Sequence, residues 1–206
     1  LARVRRVSAD PRLAPLAWIS WAYAATQVSL TSFLVVHLTG TLGWSLIAAG
    51  LALSVATAGG VAGRILWGHV ADRSRAPCAV LGATGLVSAA CATLTAVAAP
   101  DWPAFAIYAL VAVFGATAIG WNGVQLAELA RRAPEGDAGA VTGAAGVITF
   151  SGVVAGPPIF GALAALTGST RTGFAAVAVV SAAGAYAFAI RPAMSAKRAV
   201  FDESDH

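Results

Sequence analysis

Polar side chains are scarce and unevenly placed along this chain, and between them run six apolar stretches, at roughly 16–38, 43–67, 77–99, 103–129, 138–166 and 172–191. A hydrocarbon core of about 30 Å takes about 20 residues of helix, so each stretch predicts one membrane-spanning helix. The connections are of two kinds. Those at 39–42, 100–102 and 167–171 hold a single basic residue, Arg171. The others gather the charge: Arg3, Arg5, Arg6 and Arg12 before the first span, Arg64, Arg73 and Arg75 around the second connection, Arg131 and Arg132 at the fourth, and Arg191, Lys197 and Arg198 after the last. Basic loops stay on the cytoplasmic side, so both termini and the charged hairpins are expected there, with an inner, bacterial-type membrane as the setting. Trp44 and Trp102, beside the short turns, read as interfacial anchors, and Tyr23, Tyr108 and Tyr186 as packing residues.

Composition agrees with a bilayer rather than water. Charged residues are 11% of the 206 and hydrophobic ones 58%, at a mean hydropathy of +0.77; soluble domains carry about 25% charged residues. The net charge of +4 is spread over loops and ends without the basic, aromatic-studded face that nucleic acid requires, so lipid is the expected partner. Cys78 and Cys91 lie in one apolar run without metal-ligand or redox spacing, which predicts small-residue packing and no metal or cofactor. The first residue is Leu and the Arg-rich opening runs into a full-length span rather than a cleavable signal, so the chain is expected to be a fragment. The expected division is a linker segment at 1–14, a bundle at 15–192 and a tail at 193–206.

A shift of 93 positions carries Gly50, Gly59, Ala62, Gly63, Gly68 and Ala71 onto Gly143, Gly152, Ala155, Gly156, Gly161 and Ala164. Three crossings separate the two copies, so they run in opposite directions. The all-α fold is therefore expected as two inverted three-helix repeats. Gly63 and Gly68, and Gly152, Gly156 and Gly161 in the repeat, are candidates for close helix packing. Pro157 and Pro158 remove backbone donors there and serve either as a bend between moving parts or as passive packing.

The hairpin Gly68-His-Val-Ala-Asp72-Arg73-Ser-Arg75 resembles the G-x-x-x-D-R-x-G-R-R loop of the major facilitator superfamily of secondary transporters, with Ala76 and Pro77 where the signature has Arg-Arg. The departure suits the weaker copy between helices eight and nine. Ala127-Glu128-Leu129 before Arg131, Arg132 and Pro134 is similar to the segment that ends the fourth and tenth helices. Gly156, Pro157 and Gly161 resemble an antiporter motif displaced from the fifth helix to the eleventh, which leaves antiport weakly implied. The resemblance covers about 15–191 and implies the C-terminal six-helix half of a transporter, its partner being the N-terminal half or a second copy. It also implies that Asp72, Arg73, Glu128 and Arg132 form a cytoplasmic charge network that latches one access state. Topology alone would require the arginines but not the carboxylates.

Polar side chains deep in a span are costly and usually face a cavity or another helix. Gln27, Ser29, Thr31 and Ser32 on the first span and Trp121, Asn122 and Gln125 on the fourth meet that description, and the 93-residue shift pairs Ser29 with Asn122. Gln27, Ser29, Trp121, Asn122 and Gln125 are accordingly the candidate cavity residues. His37 is expected to cap a helix or face water at the outer end, and His69 to be solvated. No carboxylate lies mid-span, so a coupling proton would be carried by a partner half. The expected activity is transport of a small solute by alternating access. The alternatives are a half-size homodimer and a six-helix intramembrane protease, whose Gly-x-Ser-Gly turn does not occur here.

Overall fold

A computed structural model describes residues 2–203, with side chains placed for 3–188. The described residues form helices alone: α1 (Ala2–Ala9), α2 (Ala14–Leu42), α3 (Leu46–Ser74), α4 (Pro77–Val97), α5 (Ala104–Ala118), α6 (Asn122–Arg132), α7 (Ala138–Thr167) and α8 (Thr170–Glu203). Six spans are long and apolar enough to cross a bilayer; α5 and α6 together make the fourth, and the sixth runs over Thr170–Phe188. Local chemistry sets the ends. Proline opens α2 and α4 in the first turn, where its missing N–H is no loss. Ser45 caps α3 by accepting from the Ala48 N–H at 3.2 Å. Gly43 (φ 71°) and Gly168 (φ 68°) close α2 and α7 in the left-handed conformation that glycine adopts without strain. The expected boundary at 192 is not marked by a break, because α8 continues to Glu203; the side chains of Arg191, Lys197 and Arg198 lie outside the described residues.

The spans pack chiefly as α2 on α7, α3 on α5 and α4 on α8. The inverted repeat carries α2 to the fourth span, α3 to α7 and α4 to α8, so it exchanges the first two pairs and returns the third to itself. Glycine makes both exchanged contacts. A methyl at Gly59 or Gly63 would overlap the backbone of Ala112 or Ala116 on α5, and one at Gly152 or Gly156 would overlap the backbone of Trp21 or Ala25 on α2. The glycine sides differ by 93 positions, but Trp21 to Ala112 and Ala25 to Ala116 both differ by 91. The helices facing the glycines are thus two residues out of step with the sequence shift, and Thr31, not Ser29, is the counterpart of Asn122. Gly68 faces open space, and a methyl at Gly161 would meet only the Phe33 ring at 3.5 Å, so neither makes a close helix approach in this bundle. Helix α7 stays α-helical through Pro157 and Pro158.

At the end of the bundle away from the N-terminus, the last carbonyls of α4 are taken up by side chains from two neighbours. His37 of α2 is fully buried; its Nε2 donates to the Thr95 carbonyl at 2.9 Å, so Nδ1 accepts from the Thr170 hydroxyl at 2.7 Å. Arg171 donates to the carbonyls of Ala96 (2.9 Å) and Ala98 (2.8 Å). Of the two expectations for His37, the helix cap holds, though on the neighbouring α4 rather than its own helix, and exposure to water does not, because the ring is sealed. Arg171, the basic residue outside the charged set, is accounted for as a cap on a neighbouring helix. Tyr186, read as packing, is 66% exposed on α8, whereas Tyr23 is buried and donates to the Leu81 carbonyl at 2.8 Å. Trp44 and Tyr108 are half-buried and lie ring against ring at 5.3 Å.

The packing leads to a contrast between glycines. Gly156→Leu has no room against the Ala25 backbone and should cost about 1–3 kcal/mol or more, whereas Gly68→Ala should cost nothing measurable. Thermal unfolding of the detergent-solubilised protein decides it. Equal melting of the two variants would mean that the α2–α7 approach does not limit stability.

Candidate functional site

The fourth span is not one helix. Residues 119–121 form a turn between α5 and α6, and Gly120 lies so close to the Ala116 carbonyl and Gly63 that a side chain there would collide with both. The break is satisfied from outside: Trp67 of α3 donates its indole N–H to the Ala116 carbonyl at 2.8 Å. Irregular backbone at membrane depth needs such partners.

Asn122, the first residue of α6, donates through Nδ2 to the Ile119 carbonyl at 3.3 Å and to Gln27 Oε1 at 3.1 Å. Gln27 lies at the middle of α2, so two candidates from different repeats meet near the centre of their spans. Both side chains are half-buried. Gln27 Nε2 and Asn122 Oδ1 have no hydrogen-bond partner among the described residues, and neither is sealed. One open donor and one open acceptor thus stand side by side. Gln125, a turn along α6, is 7% exposed and its carboxamide is likewise unpartnered but not fully enclosed.

Two candidates lie elsewhere. Trp121 is 1% exposed, edge-on to Tyr23 at 5.6 Å, and its indole N–H is sealed without an acceptor. It belongs to the core in this conformation and not to an open wall. Ser29 is buried on another face of α2, where it lines a small apolar crevice with Trp21, Gly156 and Phe160. Thr31 folds its hydroxyl back onto the Gln27 and Val28 carbonyls, and Ser32 is exposed.

The charged candidates also divide. Glu128, 4% exposed, accepts from Arg131 and, at 2.6 Å, from Arg132, so one carboxylate holds two guanidinium groups from its own helix. Arg132 also donates to the Arg12 carbonyl (3.2 Å) and to Cys78 Sγ (2.9 Å), tying α6 to the turn before α2 and to the start of α4. Asp72 is exposed and makes no ion pair among the described residues; Arg73 reaches only His69 Nε2 at 3.2 Å. Asp72, Arg75, Glu128 and Arg131 instead line one cleft of about 640 Å³ between the α3–α4 hairpin and α6. The network is therefore not continuous in this conformation. Arg131 belongs to it, and its place three residues after Glu128 on a helix was the sequence signal for that.

Comparison with known proteins follows the same outline. No curated protein sequence matches the chain. Among solved structures, the Escherichia coli fucose:proton symporter superposes with a TM-score of 0.75 at 16% identity, over 92% of this chain and 45% of that one. The chain thus spans less than half the length of that transporter, and at this identity the likeness establishes the fold. The profile of the Major Facilitator Superfamily matches residues 16–205. With its six apolar spans, the chain is an integral membrane protein, and it belongs to the major facilitator superfamily.

Proposed function

We propose that this chain is the C-terminal six-helix half of a transporter that moves a small uncharged solute by alternating access, with Gln27, Asn122 and Gln125 on the cavity wall it contributes. The observation that carries the reading is the Gln27–Asn122 pair, which joins the two repeats at mid-membrane and leaves one donor and one acceptor free. Such a pair suits a hydroxyl or a primary amide, which both donates and accepts. An ionic solute would need a countercharge in a low-dielectric site, and the centres of the spans carry none in this half. The coverage of 45% of a whole symporter supports a missing six-helix partner, which would close the other side of the cavity. Basic residues gathered at one end of the bundle support a cytoplasmic location for both termini.

The cleft that Asp72 and Arg75 share with Glu128 and Arg131 supports a latch at that cytoplasmic end. In this reading Glu128 keeps Arg131 and Arg132 in place while the exposed Asp72 and Arg73 meet the other half in one access state. The two repeats then rock about the cavity, and the hairpins close its inner side.

Three outcomes test these statements. In uptake by the full-length protein, Asn122→Ala and Gln27→Ala should each raise the apparent KM about two- to tenfold, the worth of one hydrogen bond. Unchanged kinetics in both would remove the site. Trp121→Phe deletes a sealed donor that costs about 1–3 kcal/mol to leave unpaired, which offsets the packing lost with the smaller ring, so melting should change little; a drop of several degrees would show that the lost packing outweighs the relieved donor. Asp72→Asn should leave stability unchanged yet shift cysteine accessibility from the two sides of the membrane, whereas Glu128→Gln should also lower the melting temperature. Identical accessibility in Asp72→Asn and the parent would reduce that residue to a topological role.

A further inference from the structure

The segment before α2 is part of the fold. Val7 (3% exposed) and Leu13 (4%) are buried in the same apolar cluster as Leu16, Leu129 and Val141, and α1 packs on α7 and α2. On a helix, Val4 and Val7 share one face, Arg5 and Arg6 lie on the opposite arc, and Arg3 flanks the apolar face beside Val7. All three arginines are exposed, as is Arg12 in the following turn, and none has an ion-pair partner among the described residues. Glu135 and Asp137, exposed in the turn before α7, make no ion pair with them. The nearest acid in sequence, Asp10, accepts from the Arg12 N–H at 2.7 Å and makes no ion pair with the arginines among the described residues.

Depth is fixed independently. Trp18, one turn into α2, is 54% exposed, the position and residue type of an interfacial aromatic. Ala14 lies about 6 Å from it along the helix, and the headgroup zone is about 5–8 Å thick on each side of the hydrocarbon. Arg132, at the end of α6, donates to the Arg12 carbonyl and holds the turn at that level. A docked helix with apolar side inward and guanidinium groups outward is thus held where lipid phosphates lie, and charge complementarity selects the occupant.

We propose that α1 binds anionic phospholipid headgroups through Arg3, Arg5, Arg6 and Arg12. Guanidinium pairs with phosphate oxygens in bidentate geometry, which a zwitterionic surface offers without net attraction. Each basic residue near an anionic leaflet favours the bound state roughly fivefold, and salt screens the effect within about 10 Å. The proposal does not depend on the solute site.

The test is hydrogen exchange of the intact protein in nanodiscs of phosphatidylcholine alone or with phosphatidylglycerol. Amides at 4–9 should exchange about tenfold or more slowly in the anionic discs, and high salt should abolish the difference. The triple variant Arg3→Gln, Arg5→Gln, Arg6→Gln should exchange at the phosphatidylcholine rate in both. Equal rates for the parent protein in the two discs would overturn the proposal. So would protection in both discs that vanishes with the arginines, which would identify an acidic protein surface as the occupant. The salt arm on the parent protein keeps the test valid if the variant fails to fold.

Discussion

Lipid tails are as apolar as leucine, so nothing in the bilayer drives one greasy helix toward another except close fit and polar ties. In this bundle the fit is made where glycine lets two backbones touch: Gly59 and Gly63 against Ala112 and Ala116, and Gly152 and Gly156 against Trp21 and Ala25. These contacts set the register of α2 and α5. Gln27 lies two residues beyond Ala25, and Asn122 opens the half-helix that follows Ala116 and the break; each amide thus sits just past a glycine crossing, and the two meet at 3.1 Å. A bulkier residue at either crossing would disturb the neighbouring Gln27–Asn122 pair as well as a packing surface.

The second demand of the bilayer is that backbone polar groups find partners inside the protein. Most are helical, and the exceptions are met one by one. The break at 119–121 gives the Ala116 carbonyl to Trp67, and Asn122 returns to the Ile119 carbonyl. The last carbonyls of the α4 end are closed by His37 and Arg171. Against this background the sealed indole N–H of Trp121 stands out, because an unpaired donor costs about 1–3 kcal/mol and the surrounding helices supply no acceptor.

The spans were legible because twenty-residue apolar runs have one use in a bilayer, and the glycine repeat because lipid leaves close approach to small residues. Other features were not. Fourth-span helicity was broken by Gly120, one glycine among 22, and only its collision with Gly63 marks it out. A shift of 93 aligned glycines correctly but placed Ser29 opposite Asn122, since register on the facing helices is set by packing depth, which sequence does not carry. His37 looked terminal because it stands near the end of a span, yet the carbonyl it serves belongs to α4, 58 residues away. Asp72 and Glu128 looked equivalent as carboxylates at helix ends. Only burial separates one that is already paired from one that is open.

Helix α6 joins the two proposed sites. Asn122 is its first residue, and Glu128, Arg131 and Arg132 fill its last turns, about 9 Å from Asn122 to Glu128 at 1.5 Å per residue. Eleven helical residues with a non-helical turn above and a charge cluster below move as one piece more readily than a continuous span would. The Gln27–Asn122 hydrogen bond therefore holds the same body that the Arg132–Arg12 bond holds at the other end. If a solute hydroxyl takes over the open amide groups and turns α6, the Glu128 cluster turns with it, and the cleft that Asp72 and Arg75 share with Glu128 changes shape. Coupling between a mid-membrane site and a surface latch then needs no chain of side chains between them, because one short helix carries both.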